Sequence, residues 1–370
     1  MSGHVLSRLL LAALFVPLLA AADPRYTVTV VGGAGSFATD LNNQGQVVGY
    51  REVDGARRAF LYSGNTYTDL GTLGGASSWA SRINNSGQIS GTSEWGSGAG
   101  TVGFFYSAGV MNAIAGSETA NAINDSGMVA GTTWITEPDG DMNVQGYSWS
   151  AGSMTLLGTL PYGDFSIAYG INNGGQVVGA AANAIDGAPN RPTTSFLYAD
   201  GMMTDLGNLG GVWSGALSVN DRGQVVGYSG MESIGGDLYP TRAFLYSDGV
   251  LHNLGSLVDG FWSSAQDINA LGQVVGWGNT PGGSAGFLYM DGVMTDLNTL
   301  IDPASGWVVQ DAWGINDLQQ IAGTACKGGE CYAVRLDLAL AVPEPHTWTM
   351  LLAGGLLLGL ARRRQGNVQR

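Results

Sequence analysis

The sequence is poor in charge and almost free of lysine. Only 12% of its 370 residues are charged, and its single lysine is Lys327. Residues 23–345 hold 10 basic residues against 29 acidic ones, a net charge near −19. Because affinity for nucleic acid depends on clustered lysine and arginine, this balance excludes a nucleic-acid-binding protein.

Cysteine is equally scarce, since Cys326 and Cys331 are the only two. They flank the segment Lys327-Gly328-Gly329-Glu330, which a short hairpin would fold back on itself. In an oxidising compartment the two thiols are expected to form a disulfide. Closing so small a loop stabilises the fold by only about 2 kcal/mol, so the disulfide is expected to stabilise this hairpin locally. The spacing disfavours a redox or zinc role, which needs closer cysteines or further ligands.

Glycine and apolar residues are abundant. The chain has 60 Gly, 11 Pro and 45% apolar residues. This composition excludes a coiled coil and a polar disordered tail, and it supplies enough apolar surface for a sizeable core. We therefore expect a folded, turn-rich protein.

The first 22 residues have the order of a secretory signal. Arg8 precedes an apolar run from Leu9 to Ala20, and the small residues Ala20-Ala21-Ala22 stand before Asp23. Such a segment is too short to span a bilayer comfortably and is typical of a cleaved signal peptide. A buried first helix is the alternative.

The C-terminal segment, residues 339–370, has three parts in a fixed order. Pro343, Glu344 and Pro345 come first, an apolar stretch from Trp348 to Ala361 follows, and a cluster of three arginines ends it: Arg362, Arg363 and Arg364. Prolines end the preceding structure, the apolar stretch partitions into a membrane, and arginines stay on the cytoplasmic side. About 15 apolar residues make a thin span, which suits a transient signal.

This tail resembles the PEP-CTERM sorting signal, whose Pro-Glu-Pro motif is matched by Pro343, Glu344 and Pro345. The resemblance implies export, a membrane-anchored stage through the C-terminal segment, and processing by an exosortase-type enzyme. It further implies a mature protein at the cell surface or in an extracellular matrix. A C-terminal anchor that stays uncut is the alternative.

One nine-residue phrase recurs seven times between the ends. Its first copy runs from Leu41 to Gly49, and every copy has Asn second and Gly ninth. The successive asparagines are 40 to 49 residues apart, which is typical of a repeat architecture. They are Asn42, Asn84, Asn124, Asn172, Asn220, Asn269 and Asn316.

Each repeat contains four short strand-like runs. In the fifth they are Met203–Gly207, Ala216–Asn220, Gly223–Gly227 and Ala243–Tyr246. Runs of β-branched and aromatic residues separated by Gly, Asn and Asp predict antiparallel strands. Seven such units predict an all-β fold over residues 23–338, a seven-bladed β-propeller of four-stranded antiparallel repeats. An open β-solenoid is the alternative. Tyr26–Val31 is expected to pair beside the last blade and close the ring.

The phrase itself predicts a turn. Asn can cap the backbone with its side chain, and Gly three residues later can adopt a positive φ. The asparagines are therefore interpreted as hairpin residues. The seventh copy has Gln319 at the glycine position, so we expect a different turn or a strained one there.

A Phe-Leu-Tyr run, seen at Phe60-Leu61-Tyr62 and Phe244-Leu245-Tyr246, accompanies an Asp-Leu-Gly-Thr-Leu-Gly-Gly run at Asp69–Gly75. These runs resemble those of the extracellular HAF-repeat family over residues 26 to 338. The histidine for which that family is named is replaced here, for example by Arg58. The resemblance implies an exported repeat protein and no established activity.

Candidate binding residues are few. The connection after the Gln-Val-Val-Gly strand varies in length from unit to unit, which indicates loops on one rim. Aromatic residues recur five or seven positions before the turn asparagine, where flat rings can stack on sugars or pack between blades. The candidates for glycan stacking are Trp79, Phe165, Trp213 and Trp262.

Calcium is the one cofactor that the sequence suggests. Asp139, Asp141 and Asn143 place oxygen ligands at alternate positions, as at the start of a Ca²⁺ loop. The later glycine and glutamate of such a loop are missing, so a solvated hairpin tip is the alternative.

Three functions fit these observations. The first is a non-enzymatic surface or matrix protein that binds polysaccharide or another exported protein. The second is a carbohydrate-active enzyme that uses acidic residues of the propeller rim or channel. The third is a purely structural role in scaffolding a matrix. No catalytic motif stands in a suitable structural context, so the sequence favours the first.

Overall fold

The structure is a computed structural model that describes residues 26–339 except 97, 99, 138–139, 162, 184–191 and 233–239. Three groups of predicted residues lie outside the described part. They are the predicted signal peptide (residues 1–22), the sorting-tail residues (Pro343, Glu344, Pro345, Arg362, Arg363 and Arg364) and the calcium candidate Asp139.

The described chain begins with strand β1 (Tyr26–Ala34) and continues as a series of antiparallel four-strand units. Unit 1 consists of β2 (Ser36–Leu41), β3 (Val47–Val53), β4 (Ala56–Ser63) and β5 (Thr66–Gly71). Unit 2 consists of β6 (Gly74–Ile83), β7 (Ile89–Trp95), β8 (Thr101–Ser107) and β9 (Val110–Ala113). Unit 3 consists of β10 (Thr119–Ile123), β11 (Val129–Thr136), β12 (Met142–Ser150) and β13 (Ser153–Gly158).

The second half repeats this pattern. Unit 4 consists of β14 (Ser166–Ile171), β15 (Val177–Ala182), β16 (Thr193–Ala199) and β17 (Met202–Gly207). Unit 5 consists of β18 (Gly210–Val219), β19 (Val225–Met231), β20 (Thr241–Ser247) and β21 (Val250–Gly255). Unit 6 consists of β22 (Ser263–Ile268), β23 (Val274–Thr280), β24 (Gly283–Met290) and β25 (Val293–Asp296). Unit 7 has β26 (Val308–Ile315), β27 (Ile321–Lys327) and β28 (Glu330–Leu338).

The N-terminal strand supplies the fourth strand of unit 7. β1 pairs antiparallel with β28, from Tyr26 opposite Leu338 to Val30 opposite Val334. Closure by an N-terminal strand was expected from the sequence and is confirmed. Because the first strand completes the last sheet and the last unit also packs on unit 1, the chain forms a closed ring and the open solenoid is wrong.

The number of separate blades differs from the prediction. Hydrogen bonding gives five separate four-stranded blades instead of seven, and the remaining eight strands form one continuous sheet. The physical reason is local, since a single parallel bridge between Thr193 of β16 and Trp213 of β18 joins units 4 and 5.

The core lies between neighbouring units. Between units 5 and 6, for example, Val226 and Ala243 pack with Ala265, Val274 and Phe287, and all five are fully or almost fully buried. The phenylalanine of the Phe-Leu-Tyr run is fully buried in units 1, 4, 5 and 6. Each unit therefore shelters the apolar face of the next, which a single sheet cannot do alone.

Helices play a small part in the described residues. Two short 3₁₀ helices, Leu297–Thr299 and Pro303–Ser305, lie in the connection between units 6 and 7. Asp296 and Asp302 cap them by accepting hydrogen bonds from the backbone N–H groups of Asn298 and Ala304. In this part of the chain no helix is long and apolar enough to cross a bilayer.

Each inner strand, the first strand of its unit, carries a bulge that explains the ninth glycine of the phrase. In unit 5 the pairing shifts between Ala216 and Ser218, and this brings the carbonyl oxygen of Gly215 towards the next strand. A Cβ atom on Gly227 would lie only 2.0 Å from that oxygen. The same close approach to an inner-strand carbonyl occurs in the other units, at 1.9–2.4 Å. Glycine is thus required here for space.

The disulfide prediction is confirmed. Cys326 and Cys331 face each other across β27 and β28, with the two sulfur atoms bonded. Gly328 and Gly329 form the turn with positive φ angles. The hairpin is tighter than the sequence suggested, because Lys327 and Glu330 still pair as strand residues.

The turn at Gln319 is the strained one of the two alternatives. Its backbone N–H donates to the carbonyl oxygen of Asn316 at 3.0 Å, as the glycine does in the other copies. Gln319 has a φ of 62°, in the left-handed region that costs a residue with a Cβ about 1–2 kcal/mol.

Replacing Gln319 with glycine should therefore raise the free energy of unfolding by about 1 kcal/mol. The gain is reduced by loss of the hydrogen bond from the Gln273 amide to the Gln319 side chain, a contact of 3.3 Å. Urea unfolding followed by circular dichroism would measure the difference. Gln319→Asn, which tolerates this φ but keeps a Cβ, should gain less. A destabilised glycine variant would show that the Gln273 contact outweighs the backbone strain.

Candidate functional site

The seven turn asparagines meet at one end of the inner strands. There the turns surround a cavity of about 200 Å³ to which all seven units contribute. This end of the protein is called the asparagine end below, and the opposite end, which carries the longer variable loops, is called the loop end.

In each turn asparagine, both the oxygen and the nitrogen of the side-chain amide form hydrogen bonds within the protein. The Oδ1 of Asn220 accepts hydrogen bonds from the N–H groups of Arg222 and Gln224 at 3.0 and 3.1 Å. Its Nδ2 donates to Gln224 Oε1 at 2.9 Å and to the carbonyl oxygen of Asn269 in the next unit at 3.1 Å. The cap within the turn was predicted, but the bond to the next unit was not.

These bonds between units run around the ring. Every turn asparagine donates to the carbonyl oxygen of the next one, and Asn316 donates to Asn42 at 2.9 Å and completes the circle. The sequence contained one indication of this ring. All seven copies have Asn at the same position, although a turn alone would also accept other residues. Because both ends of the amide are occupied, these side chains are structural.

Replacing Asn220 with aspartate should test the inter-unit bond separately from the cap. Aspartate keeps the two accepted hydrogen bonds but loses both donated ones and sets a carboxylate against two oxygens. We expect the free energy of unfolding to fall by about 2–4 kcal/mol, because the buried carbonyl oxygen of Asn269 loses its donor. Asn208→Asp is the matched control, since exposed Asn208 only accepts a bond from Gly210 N–H at 2.8 Å. Equal effects of the two variants on the urea midpoint would contradict the ring.

A second belt lies just outside the first. The residue after the turn asparagine accepts the backbone N–H of its counterpart in the preceding unit; Asp125 Oδ1, for example, accepts from Asn85 N–H at 2.8 Å. The belt is interrupted at Ala270, which has no side-chain acceptor. Its polar members are Asn43, Asn85, Asp125, Asn173, Asp221 and Asp317.

A largely buried ion-pair cluster lines the cavity. Arg82 of unit 2 places Nη1 3.3 Å from Asp40 Oδ1 of unit 1 and 3.6 Å from Asp267 Oδ1 of unit 6. Asp40 also accepts from the N–H of Ile83, and Asp267 accepts from the N–H of Ile315. The cluster links the consecutive units 1 and 2 to unit 6, and both carboxylates also accept backbone N–H groups of neighbouring units.

Burial raises the pKa of two carboxyl groups on the inner strands. It raises the pKa of Asp40 to about 7, although Arg82 opposes the shift. It also raises the pKa of Asp311 to about 6, against hydrogen bonds from Thr324. Both groups thus bind protons in the folded protein at a pH where the unfolded chain has released them.

The free energy of unfolding should consequently fall as the pH rises from about 4 to about 7, by an amount on the order of a few kcal/mol. The sign follows because the folded state holds more protons than the unfolded state throughout this interval. Urea unfolding at a series of pH values would measure it. Asp40→Asn should reduce the slope, whereas Asp54→Asn on an exposed turn should leave it unchanged. Stability that rises over this interval would contradict the assignment.

The predicted aromatic residues lie at the loop end, where the inner strands begin. Trp79 and Phe165 are half-buried, whereas Trp213 and Trp262 are 38% and 44% exposed. Phe165, Trp213 and Trp262 occupy the same repeat position in units 4, 5 and 6. Because these units are consecutive, the three positions follow one another along the rim, and they are called the aromatic arc below. Trp79 stands apart in unit 2.

Other aromatic rings at the loop end are also exposed. Trp95 is the last residue of β7 and Trp134 lies near the end of β11, and the two are 48% and 51% exposed. Phe261, next to Trp262, is 37% exposed and was missed as a candidate because it falls outside the repeat spacing. Phe37 stacks on Tyr50 with ring centroids 5.1 Å apart, so this ring serves packing.

The calcium candidates are only partly described. Asn143 lies on β12 and pairs with Ile135 of β11. Asp141 lies just before β12. In the described part of the chain no group of three or more His, Cys, Asp or Glu side chains is arranged to hold a metal. Since Asp139 lies outside that part, the calcium site stays a prediction.

Comparison with known families identifies two segments. Residues 341–365 match the PEP-CTERM protein-sorting motif, which confirms the interpretation of the tail. The motif indicates an exported protein that is membrane-anchored before processing and recognised by an exosortase. Residues 204–335 match a family described as protein of unknown function (DUF3466). No curated protein matches the chain.

Solved structures share the fold at low identity. Pyrococcus horikoshii acylaminoacyl peptidase is 12% identical with a TM-score of 0.51, and the match covers 80% of this chain and 51% of that one. A prolyl endopeptidase is 10% identical with a TM-score of 0.50, covering 85% and 50%. The β-propeller domain of the Trilobed protease from Pyrococcus furiosus is 12% identical with a TM-score of 0.39, covering 71% and 97%. The chain spans about half the length of the two peptidases, and its likeness to them shows a shared fold alone.

Proposed function

We propose that the protein is an exported, non-enzymatic binding module that takes polysaccharide on the aromatic arc. In this proposal residues 1–22 are a signal peptide, residues 23–338 form a seven-unit β-propeller domain, and residues 339–370 are the sorting tail. The single observation that carries it is the arc itself, in which Trp213 and Trp262 expose 38% and 44% of their surface at equivalent places in adjacent units.

The physical case rests on the cost of exposing large apolar rings. An indole left in water forgoes the burial that normally places tryptophan in a core or an interface. The C–H faces of a pyranose ring are flat and apolar, and they match an indole in size. The rings stand at equivalent positions of consecutive units. Each ring can therefore stack on a different sugar of the same polysaccharide chain.

The carboxylates at the asparagine end argue against an enzyme whose active site is the cavity there. Asp40 and Asp267 are buried and held by Arg82 and backbone N–H groups, so no free pair of carboxylates faces a bound sugar there. A glycosidase needs two such groups on opposite sides of the scissile bond. The carbohydrate-active enzyme is therefore the alternative outcome of the test below.

The location of the protein outside the cytoplasm supports the same role. The sorting motif indicates export, and we place the mature protein at the cell surface or in the extracellular matrix. Polysaccharide and other exported proteins are the partners available there. The resemblance of the Phe-Leu-Tyr and Asp-Leu-Gly runs to the HAF-repeat family is consistent with this location.

Binding and turnover can be separated with the purified full chain kept in detergent. A glycan array followed by calorimetry should detect binding, and a reducing-end assay should detect no hydrolysis. Trp213→Ala and Trp262→Ala should each weaken binding at least about tenfold, which is the loss of about 1.4 kcal/mol. Trp95→Ala, an equally exposed ring outside the arc, is the control. Hydrolysis, or unchanged binding in both arc variants, would overturn the proposal.

A further inference from the structure

The charges around the aromatic arc point to one class of glycan. Asp259 is exposed and stands three residues before Trp262 in the same connection. Glu232 is exposed too, and its side chain lies beside Gly210, where the strand that carries Trp213 begins. Both exposed carboxylates thus flank the arc in units 5 and 6.

A third exposed carboxylate lies on the unit 4 side. Asp205 accepts hydrogen bonds from Asn183 Nδ2 at 2.8 Å and from the hydroxyl group of Thr194. Thr194 follows Thr193, the residue that pairs with Trp213 across the joined sheet. Asp205 therefore lies on the unit 4 side of Trp213.

Arg242 is a described basic residue beside the arc, and its single positive charge offsets only part of the three negative charges. Arg242 donates from Nη1 to the carbonyl oxygen of Phe261 at 2.6 Å and to that of Thr241 at 3.2 Å. Its guanidinium is thereby committed to holding the connection that bears Phe261 and Trp262. The charge next to it is Asp259, which attracts the same guanidinium.

From this charge pattern, and resting on the function proposed above, we infer that the arc prefers a cationic amino-sugar polymer. Stacking on Trp213 and Trp262 would be common to all pyranose chains. Free ammonium groups would in addition be attracted by Asp205, Glu232 and Asp259, whereas the carboxylates of a uronic-acid polymer would be repelled. The net charge near −19 of residues 23–345 adds to that repulsion at long range.

Three matched oligomers test the inference on the full chain. They are β-1,4-linked N-acetylglucosamine, its de-N-acetylated form and a uronic-acid oligomer of equal length, measured by calorimetry at pH 6. At low salt the amino form should bind at least about tenfold more tightly than the acetylated form, and the uronic form should not bind. Raising the salt to about 0.3 M should shrink this difference, because exposed charges are screened.

Variants locate the effect. The double change Glu232→Gln and Asp259→Asn should remove most of the preference for the amino form, while Asp54→Asn, an exposed aspartate in unit 1, should preserve it. Trp213→Ala should weaken both the amino and the acetylated forms. Binding of the acetylated form without preference, equal binding of the uronic form, or a preference unchanged in the double variant would overturn this inference alone. Absence of binding by all three oligomers would overturn the proposed function as well.

Discussion

Replacing Arg82 with alanine should lower the free energy of unfolding by about 3–5 kcal/mol at pH 7.5. The change leaves Asp40 and Asp267 buried and without their shared guanidinium, and an uncompensated buried charge is among the costliest defects in a protein. The Arg82 guanidinium also donates to the carbonyl oxygens of Gln266 and Trp313, so these acceptors lose a partner too.

The loss should be smaller near pH 5, because protonation of Asp40 removes one of the two charges. Urea unfolding at both pH values would measure the difference. Arg58→Ala is the control, since Arg58 pairs with Asp69 at 3.3 Å on the surface and should cost no more than about 1 kcal/mol. A loss for Arg82→Ala as small as that of the control would show that the cluster contributes little to ring stability.

Replacing Gly227 with alanine should destabilise the protein by about 3 kcal/mol or more. The added Cβ would meet the Gly215 carbonyl oxygen at 2.0 Å and the Ala216 Cα at 3.0 Å, so strands β18 and β19 would have to separate. Since both neighbours are backbone atoms, no side-chain rotation can relieve the contact, and overpacking in a closed ring strains the adjoining units as well.

Gly282→Ala provides a matched comparison. At that turn the nearest atom to a new Cβ is the Thr280 hydroxyl oxygen at 3.6 Å, so we expect a change within about 0.5 kcal/mol. Thermal unfolding followed by circular dichroism would rank the two variants. Similar melting temperatures for both would mean that the bulge relaxes, and the ninth glycine would then need another explanation.

Much of the architecture could be read from the repeated phrase. Strand-forming runs separated by turn residues predicted the antiparallel units, and the Asn-x-x-Gly step predicted the hairpins, because both depend on interactions within a few residues. The disulfide between Cys326 and Cys331 was predicted for the same reason, and the strained turn at Gln319 was one of two predicted alternatives. The separate blade count was not, because the Thr193–Trp213 bridge depends on how two units approach each other.

The candidate site was predicted in part. Spacing singled out Phe165, Trp213 and Trp262, but spacing could not tell stacked core rings from exposed ones. Phe37 is half-buried and stacks on Tyr50 of its own unit, whereas Trp213 and Trp262 are 38% and 44% exposed, and only the folded structure decides between the two. Phe261 and the carboxylates beside the arc follow no repeat spacing, so their contribution emerges from the fold alone.

The sequence by itself determined the repeat, its strands and turns, the disulfide hairpin and the export address, since each is encoded by residues close together in the chain. The tertiary structure decided the rest: the asparagine ring, the Asp40–Arg82–Asp267 cluster and the exposure of the aromatic arc. These join residues from different units, and their free energy exists only once ring closure has brought those units into contact.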